Sequence, residues 1–202
     1  QKMQHPSELL GQTDIYLIDQ IIKGRYAPTD SILDAGAGAG RNLHWFVQQG
    51  CQVYGTDRDP AAVESLRRNY PGLAADRFIL APVEALPFPD QFFHHIICSA
   101  VLHFAENEAH FAQMFIELAR VLRPGGSLFL RIATDMGLEH KMVPLGHGRF
   151  TMPDGADRFL MTRPALETLM QQHGLQYLEP FKTVLMNELR SMTALVLQRK
   201  SQ

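Results

Sequence analysis

The chain has 202 residues, a length that fits one domain with its own hydrophobic core and no need of a disulfide or a metal staple. Its 19 Lys and Arg residues against 21 Asp and Glu residues give a net charge of −2, which argues against a dedicated nucleic-acid binder. The sequence has no run of about 18 apolar residues and therefore no predicted membrane span. The N-terminus is polar, and the two cysteines, Cys51 and Cys98, lie inside apolar runs. These features predict a cytoplasmic protein with free, buried thiols.

The hydrophobic pattern predicts strands that alternate with helices. The predicted elements, in chain order, are a helix over 7–26 within an N-terminal helical cap (1–30), a strand over 31–35, a helix over 41–49, a strand over 51–57, a helix over 60–70, strands over 76–82 and 92–101, a helix over 106–122, a turn over 123–126, a strand over 127–133, a helix over 164–173, and closing strands over 175–187 and 191–200. This order predicts an α/β domain spanning 1–202, with a mostly parallel sheet, helices on both faces and an antiparallel last strand.

Three glycines alternate in the stretch ILDAGAGAGRN, residues 32–42, directly after the first strand. Glycine is costly to order, so this turn indicates that backbone passes very close to another group. Asp57 ends the second strand, where a carboxylate can accept hydrogen bonds from a ribose diol. Arg41 fills the third glycine position of the dinucleotide fingerprint, and no tyrosine has a lysine four residues later, which argues against a short-chain dehydrogenase.

Four stretches, ILDAGAGAGRN, VYGTDRDP, VEALPFPDQFF and ARVLRPGGSLFLRI, resemble the motifs of class I S-adenosylmethionine-dependent methyltransferases in order and spacing. The resemblance covers roughly residues 31–133. It implies a Rossmann-like sheet of seven strands, S-adenosylmethionine as the cofactor, and methyl transfer by in-line displacement. The stretch GRNLHWFVQQGCQVYGTDRDPAAV is most similar to the tellurite-resistance branch, whose members act on small molecules, and so implies a small-molecule acceptor.

The resemblance implies a set of cofactor-binding residues: Asp34, Gly36, Ala37, Gly38, Asn42, Asp57, Arg58, Val83, Glu84 and Ser99. Gly36 and Gly38 would let backbone pass under the methionine part of the cofactor, with Asp34 beside its ammonium group. Asp57 would hold the ribose hydroxyls, and Val83 would offer its N–H to the adenine edge.

Two residues depart from the family pattern. Pro82 stands where the family often has an aspartate that accepts from the adenine amino group, so that Glu84 or a water must replace it, or the contact is absent. His94 stands where the family usually has an aspartate, and the sequence does not explain that change.

His103 follows the fourth strand, near the point where the family delivers the methyl group. It is a candidate general base or substrate contact, and equally a residue of the pocket wall or core. His94 and His95 are adjacent on a strand and point to opposite faces, and no His or Cys spacing fits zinc, so no metal site is predicted.

The segment 134–162 has no helical or strand period and follows the fifth strand, where the family usually inserts acceptor-binding elements. Arg149 and Arg158 accompany Phe150 and Phe159, a mixture that suits an anionic or polar acceptor with an apolar body. We therefore expect a loosely packed lid in which Arg149 and Arg158 bind the acceptor. The N-terminal helix, with Tyr16 and Tyr26, is a candidate for the opposite wall.

Two other functions stay open. One is a methyltransferase that acts on RNA or protein, although the end of the fourth strand, CSAVLHF, lacks the Asn/Asp-Pro-Pro-Tyr-like motif of many such enzymes. The other is a non-catalytic partner subunit, against which the intact Gly36, Gly38 and Asp57 weigh. The sequence predicts no oligomeric state.

Overall fold

The computed structural model describes residues 5–201. The strands are β1 (Ser31–Ala35), β2 (Gln52–Asp57), β3 (Phe78–Leu80), β4 (Phe93–Ser99), β5 (Leu122–Ala133), β6 (Val143–Gly146), β7 (Arg149–Thr151), β8 (Asp157–Phe159), β9 (Leu175–Tyr177), β10 (Lys182–Met186) and β11 (Arg190–Arg199). The helices are α1 (Pro6–Leu10), α2 (Ile15–Ile22), α3 (His44–Gln48), α4 (Pro60–Asn69), α5 (Glu108–Val121) and α6 (Arg163–Gln172). Residues 1–4 of the predicted N-terminal cap lie outside the described residues.

The main sheet has the strand order β10-β11-β5-β4-β1-β2-β3, and β9 pairs with β11 at one end. β1 to β5 run parallel to one another, whereas β11 is antiparallel to β5, β9 and β10. The predicted α/β fold, with a mostly parallel sheet and an antiparallel last strand, is confirmed, but the sheet has eight strands rather than seven. The predicted strand over 175–187 is two strands, interrupted at Pro180, which cannot donate to a sheet ladder.

Every residue of β1 is buried, as expected of a strand covered on both faces. Its neighbouring residues Ile32 and Leu33 belong to separate apolar clusters, because successive side chains of a strand point to opposite faces. Ile32 packs in the cluster of Phe46 and Phe78, and Leu33 in the larger cluster that contains Phe115. The sheet is thus held between two apolar layers, and its carboxyl edge is left for the site.

The N-terminal segment differs from the single predicted helix over 7–26. Helix α1 ends at Gly11, whose φ of +58° breaks the helical path, and α2 starts four residues later. The Asp14 side chain caps α2 by accepting from the N–H of Tyr16 at 2.9 Å. The prediction missed this break because apolar residues continue at helical spacing across it.

The RPGG stretch, predicted as a turn, lies inside β5. The register between β4 and β5 shifts at this point, and Gly125 has a φ of +78°, so the stretch is a bulge in a continuous strand. A Cβ on Gly126 would lie 2.6 Å from the carbonyl oxygen of His94, which only glycine avoids. The predicted turn is therefore wrong, and the glycine pair serves a close approach of two strands.

The segment 134–162 is ordered as a second, three-stranded antiparallel sheet, β6-β7-β8. Leu138, Met152 and Leu160 are buried beneath it, and the Phe159 ring stacks on Phe111 of α5 with 5.1 Å between centroids. The expectation of an irregular, loosely packed segment is wrong. The strands have three or four residues each, too few to show a period in the sequence.

His94 has a structural partner that the sequence did not reveal. Its Nδ1 accepts from the backbone N–H of Ser31 at 3.0 Å, which fastens β4 to the start of β1. His95 instead contacts Ser127 and Asp30. Within residues 5–201 no three His, Cys, Asp or Glu side chains form a metal-binding group.

Both cysteines, Cys51 and Cys98, are buried free thiols, as predicted. Across the described part of the chain, no helix combines the length and apolar character that a membrane crossing requires.

Candidate functional site

The three alternating glycines differ in why a side chain is absent at each position. A Cβ on Gly36, whose φ is +75°, would lie 2.5 Å from Val101, and one on Gly40, whose φ is +83°, would lie 2.7 Å from Tyr70. Gly38 has a φ of +55°, but a Cβ there would meet nothing within 4 Å. Packing therefore requires glycine at the two outer positions, whereas the central one presents bare backbone to open space.

That open space is a cavity of about 190 Å³ at the carboxyl ends of β1, β2 and β4, which we call the glycine-turn cavity. Six of the ten predicted cofactor residues line it: Gly36, Gly38, Asp57, Arg58, Val83 and Glu84. Val101, Phe104 and Met114 supply an apolar wall. Parallel sheets bind ligands at this edge, because strand ends and helix starts meet there.

Asp57 is fastened by backbone on both sides. One carboxylate oxygen accepts from the Gly38 N–H at 2.9 Å and the other from the Asp59 N–H, also at 2.9 Å. These bonds orient the carboxylate at the cavity wall and join the end of β2 to the glycine turn.

Asp34 lies behind the glycine turn rather than on the cavity wall. Its side chain is buried, and its Oδ2 has no hydrogen-bond partner among the described residues. Burial raises the pKa of Asp34 to about 7, against the opposing effect of Arg41 and with a smaller contribution from Asp57. A buried carboxyl without a partner is costly, and a nearby cation would relieve that cost.

The other three predicted cofactor residues are also off the cavity wall. Ala37 is buried in the apolar cluster around Ile32. The Asn42 side chain accepts from the Asp14 N–H at 2.9 Å and so fixes the start of α2. The Ser99 hydroxyl is buried without a hydrogen-bond partner in the described structure. Ala37 and Asn42 thus support the turn from behind.

Pro82 lines the glycine-turn cavity just before the 3-10 turn Val83–Ala85. Glu84, the candidate replacement for the missing acid, lies beside His110, with 3.2 Å between its Oε1 and His110 Nε2.

A second cavity, also of about 190 Å³, adjoins the first, and we call it the arginine cavity. Ala100, at the end of β4, lines both. The φ of Ala100 is +61°, a left-handed conformation that is unusual for alanine, and its N–H donates to the Arg131 carbonyl at 2.8 Å. Strained backbone of this kind concentrates at functional sites.

Three arginines and His103 line the arginine cavity, together with Asp154 and three methionines (Met152, Met186 and Met192). Arg190 pairs with Asp154 at 2.6 Å, and Arg131 pairs with the buried carboxylate of Asp14 at 2.7 Å. Arg158 has no acidic partner within 4 Å among residues 5–201, and its guanidinium lies 4.9 Å from the centroid of the Phe104 ring.

His103 is buried on the cavity wall. Its Nδ1 accepts a hydrogen bond from the Ala133 N–H at 3.2 Å, so the proton of the neutral ring lies on Nε2. Burial lowers the pKa of His103 to about 4, and the positive charges of Arg158 and Arg131 add to the effect. The ring is therefore neutral at pH 7 and offers an N–H donor.

The structure separates the two arginines that the sequence grouped as acceptor ligands. Arg158 lines the arginine cavity, whereas Arg149 lines neither cavity and donates to the Ala105 carbonyl at 3.1 Å. The two N-terminal tyrosines are also apart. The Tyr16 ring centroid lies 5.7 Å from the Arg131 guanidinium. Tyr26 packs instead on His95, which pairs with Ile32 near the start of β1. Tyr26 therefore lies away from the carboxyl edge of the sheet.

Sequence reasoning missed Arg131, Asp154 and Arg190 as residues of the site. Arg131 carried a weak signal, since it is a cation near the end of an otherwise buried strand. Asp154 and Arg190 carried none, because they meet only when the second sheet folds against the start of β11.

Comparison with known proteins gives a family match over residues 33–130, to the family described as a methyltransferase domain. A malonyl-[acyl-carrier protein] O-methyltransferase of Halorhodospira halophila is 31% identical over 48% of this chain and 32% of its own length. An uncharacterized methyltransferase of Bacillus subtilis is 30% identical over 60% of this chain and 50% of its own. The chain thus spans half or less of the length of these curated relatives.

Solved structures share the fold over nearly the whole chain. An S-adenosylmethionine-dependent methyltransferase from Methanosarcina mazei superposes with a TM-score of 0.72 at 19% identity, covering 90% of this chain and 98% of the other. The 1,6-didemethyltoxoflavin N1-methyltransferase of Burkholderia thailandensis gives 0.66 at 18% identity, covering 95% and 80%. Residues 33–130 thus match the methyltransferase-domain family, and the sheet around them has the fold of S-adenosylmethionine-dependent methyltransferases.

Proposed function

We propose that this chain is an S-adenosylmethionine-dependent methyltransferase that transfers a methyl group to a small-molecule acceptor. The observation that carries the proposal is the meeting of two cavities at Ala100: one against the glycine turn and Asp57, the other among arginines and His103. A methyltransferase needs two adjoining compartments of this kind, one for the methyl donor and one for the acceptor.

The residues of the glycine-turn cavity fit S-adenosylmethionine. The bare backbone of Gly38 admits a ligand at close range. Asp34 lies behind the turn rather than on the wall, and its unpartnered Oδ2 would suit the ammonium group of the methionine part. Asp57 would accept from the ribose hydroxyls, and Val83 would meet the adenine edge. A solved structure of the same fold, from Burkholderia thailandensis, contains S-adenosylhomocysteine, which supports this choice of cofactor.

S-Adenosylmethionine, when bound, supplies a methyl group on a positively charged sulfur. The protein's contribution is then to bring the acceptor into line, which can account for much of the rate. The strained Ala100 sets the boundary between the two compartments, and Val101, Phe104 and Met152 give the walls beside it apolar surface. An apolar junction favours a reaction in which charge is lost.

The arginine cavity has a volume of about 190 Å³ and lies between the second sheet and β11. A cavity of this size supports a small acceptor. An RNA or protein acceptor remains the second candidate, and a non-catalytic subunit the third. The open position at Gly38 and the unpartnered Asp34 weigh against the third, because neither packing nor a vestigial pocket needs them. The likeness to the tellurite-resistance branch stays a prediction and carries no part of the proposal.

Calorimetric titration tests the proposal directly. We expect S-adenosylmethionine and S-adenosylhomocysteine to bind one site and NAD to give no heat of binding. Tight NAD binding without a signal from either adenosyl compound would overturn it. A mixed library of small acceptors with methyl-labelled cofactor, analysed by mass spectrometry, then identifies the class of acceptor.

A further inference from the structure

The polar groups that the arginine cavity leaves available are hydrogen-bond donors. Its one carboxylate, Asp154, accepts from Arg190 on one oxygen at 2.6 Å and from the Ala156 N–H on the other at 3.0 Å. Arg131 donates to Asp14, but its Nε is buried and has no partner in the described part of the chain. The cavity therefore has donors to offer, while its carboxylate is already engaged.

Arg158 is the cation of this cavity that the protein leaves without an acidic partner among residues 5–201. One of its terminal nitrogens donates to the Asp157 carbonyl at 2.8 Å, and the guanidinium lies over the Phe104 ring. The remaining N–H groups of the planar fork stay free. A free guanidinium in a partly apolar cavity binds an oxyanion strongly, because guanidinium is weakly hydrated for a cation and its planar fork matches the geometry of the oxyanion.

No side chain of the cavity is placed to remove a proton. The Nδ1 lone pair of His103 is occupied by the Ala133 N–H, and the other ring nitrogen carries the proton. Arg131, Arg158 and Arg190 stay charged, and Asp154 is held in its ion pair. An acceptor that is already deprotonated at neutral pH needs no such base and therefore suits this cavity best.

We propose, building on the function proposed above, that the methyl acceptor is a carboxylate on a compact apolar body, held by Arg158 and by the Nε2–H of His103. A carboxyl group, with an ordinary pKa near 4, is ionised without help from a base. Its second oxygen is free to react while the first is held. The three methionines of the cavity suit the apolar body.

The transfer step balances without a base. One carboxylate oxygen attacks the methyl carbon, the carbon–sulfur bond breaks, and its electron pair stays on sulfur. The carboxylate anion and the sulfonium cation are both neutralised, a methyl ester forms, and no proton moves.

The binding test uses matched pairs that differ only in charge: hexanoate against hexanamide, and benzoate against benzamide, each titrated into protein loaded with S-adenosylhomocysteine. We expect each acid to bind at least about ten-fold tighter than its amide. In Arg158→Gln this preference should fall below about three-fold. Arg163→Gln is the control, since Arg163 lies outside the cavity and pairs with Glu167 at 2.7 Å. Equal binding of acid and amide, or no binding of either, would overturn the proposal.

The product test uses methyl-labelled cofactor with straight-chain acids from acetate to decanoate, benzoate, and the matching amines, thiols and phenols. We expect label in base-labile methyl esters. Label confined to amines, thiols or phenols, or absent from every acid, would overturn the carboxylate proposal while the methyltransferase function stands if the cofactor binds. Failure of the cofactor itself to bind would instead count against the proposed function. Circular dichroism of each variant shows that a lost preference is not a lost fold.

Discussion

The backbone N–H of Gly38 donates to the carboxylate of Asp57 across 2.9 Å, and this bond joins the glycine turn after β1 to the end of β2. The turn and Asp57 follow from the ends of neighbouring parallel strands, β1 and β2, so one carboxylate can both brace the turn and face the cavity beside it. Removal of Asp57 is therefore expected to act on the cofactor directly and through the turn.

Replacement of Asp57 by alanine should weaken cofactor binding by about 2 kcal/mol, because the ribose hydroxyls lose a charged acceptor. Asp59→Ala is the matched control, since Asp59 caps α4 through the Ala61 N–H at 2.9 Å and does not line the cavity. The control should lower stability by about 1 kcal/mol and leave affinity unchanged. Calorimetry would count against the ribose role if Asp57→Ala bound the cofactor as the parent does.

Replacement of Gly38 by alanine tests whether open space at this position serves a ligand. Its positive φ should cost about 1 kcal/mol of stability, with the fold retained because a Cβ meets no atom within 4 Å. Gly24→Ala has the same open surroundings, with a φ of +70°, and lies away from the cavity. We expect similar losses of stability in both variants but a loss of cofactor affinity only in Gly38→Ala. Equal affinities in the two variants would argue against close approach at Gly38.

Asp34 should make both stability and cofactor binding depend on pH. The pKa of Asp34 is raised to about 7 in the folded chain, so the carboxyl keeps its proton where the unfolded chain, with an ordinary value of 3.8, has lost it. Its contribution to stability is thus complete below about pH 4 and is lost as pH rises to about 7. Asp34→Asn, which cannot ionise, should be more stable than the parent at pH 8 by at least about 1 kcal/mol.

The same residue should bind the cofactor best as the carboxylate, because the ammonium group favours the charged form. Parent affinity should fall as pH drops from 8 to 6, and Asp34→Asn should bind weakly and lose that pH dependence. Calorimetry and thermal unfolding across this range measure both effects. Identical pH profiles for the two proteins would show that Asp34 does not meet a cation.

Pro82→Asp restores the acid that the family often has beside the adenine amino group. If the adenine amino group lacks a protein acceptor, cofactor affinity should rise or stay the same, since Pro82 lines the cavity. A large loss measured by calorimetry would mean instead that Glu84 fills the role or that the turn at Val83 needs proline. Glu84→Gln separates those two explanations, because it alters only the side chain.

The second sheet should act as a cover for the acceptor. Hydrogen exchange over 143–159 is expected to slow when S-adenosylhomocysteine and an acceptor analogue are both present. Arg158→Ala should impair turnover with cofactor affinity unchanged, whereas Arg149→Ala should mainly loosen the sheet, because Arg149 holds the Ala105 carbonyl. Unchanged exchange together with normal turnover in Arg158→Ala would contradict a covering role.

The sequence alone determined the α/β fold, the glycine turn and the acid at the end of β2. These features can be predicted from the sequence because each depends on a few adjacent residues: apolar runs, alternating glycines, and a carboxylate at a strand end. Local patterns of this kind also set local backbone geometry, so the pattern and the structure agree. The same reasoning failed over 134–162, where strands of three or four residues are too short to carry a period.

Only the tertiary structure brings together the residues of the proposed acceptor site. Arg131, Arg158 and Arg190 come from three separate elements and meet only because β11 inserts beside β5 and the second sheet folds over both. The role of His103 depends in the same way on a backbone N–H of Ala133, which occupies the nitrogen that a general base would use. Whether a histidine acts as a hydrogen-bond donor or as a base depends on which ring nitrogen has a free lone pair. For His103 that depends on the packing of distant segments rather than on the identity of any one residue.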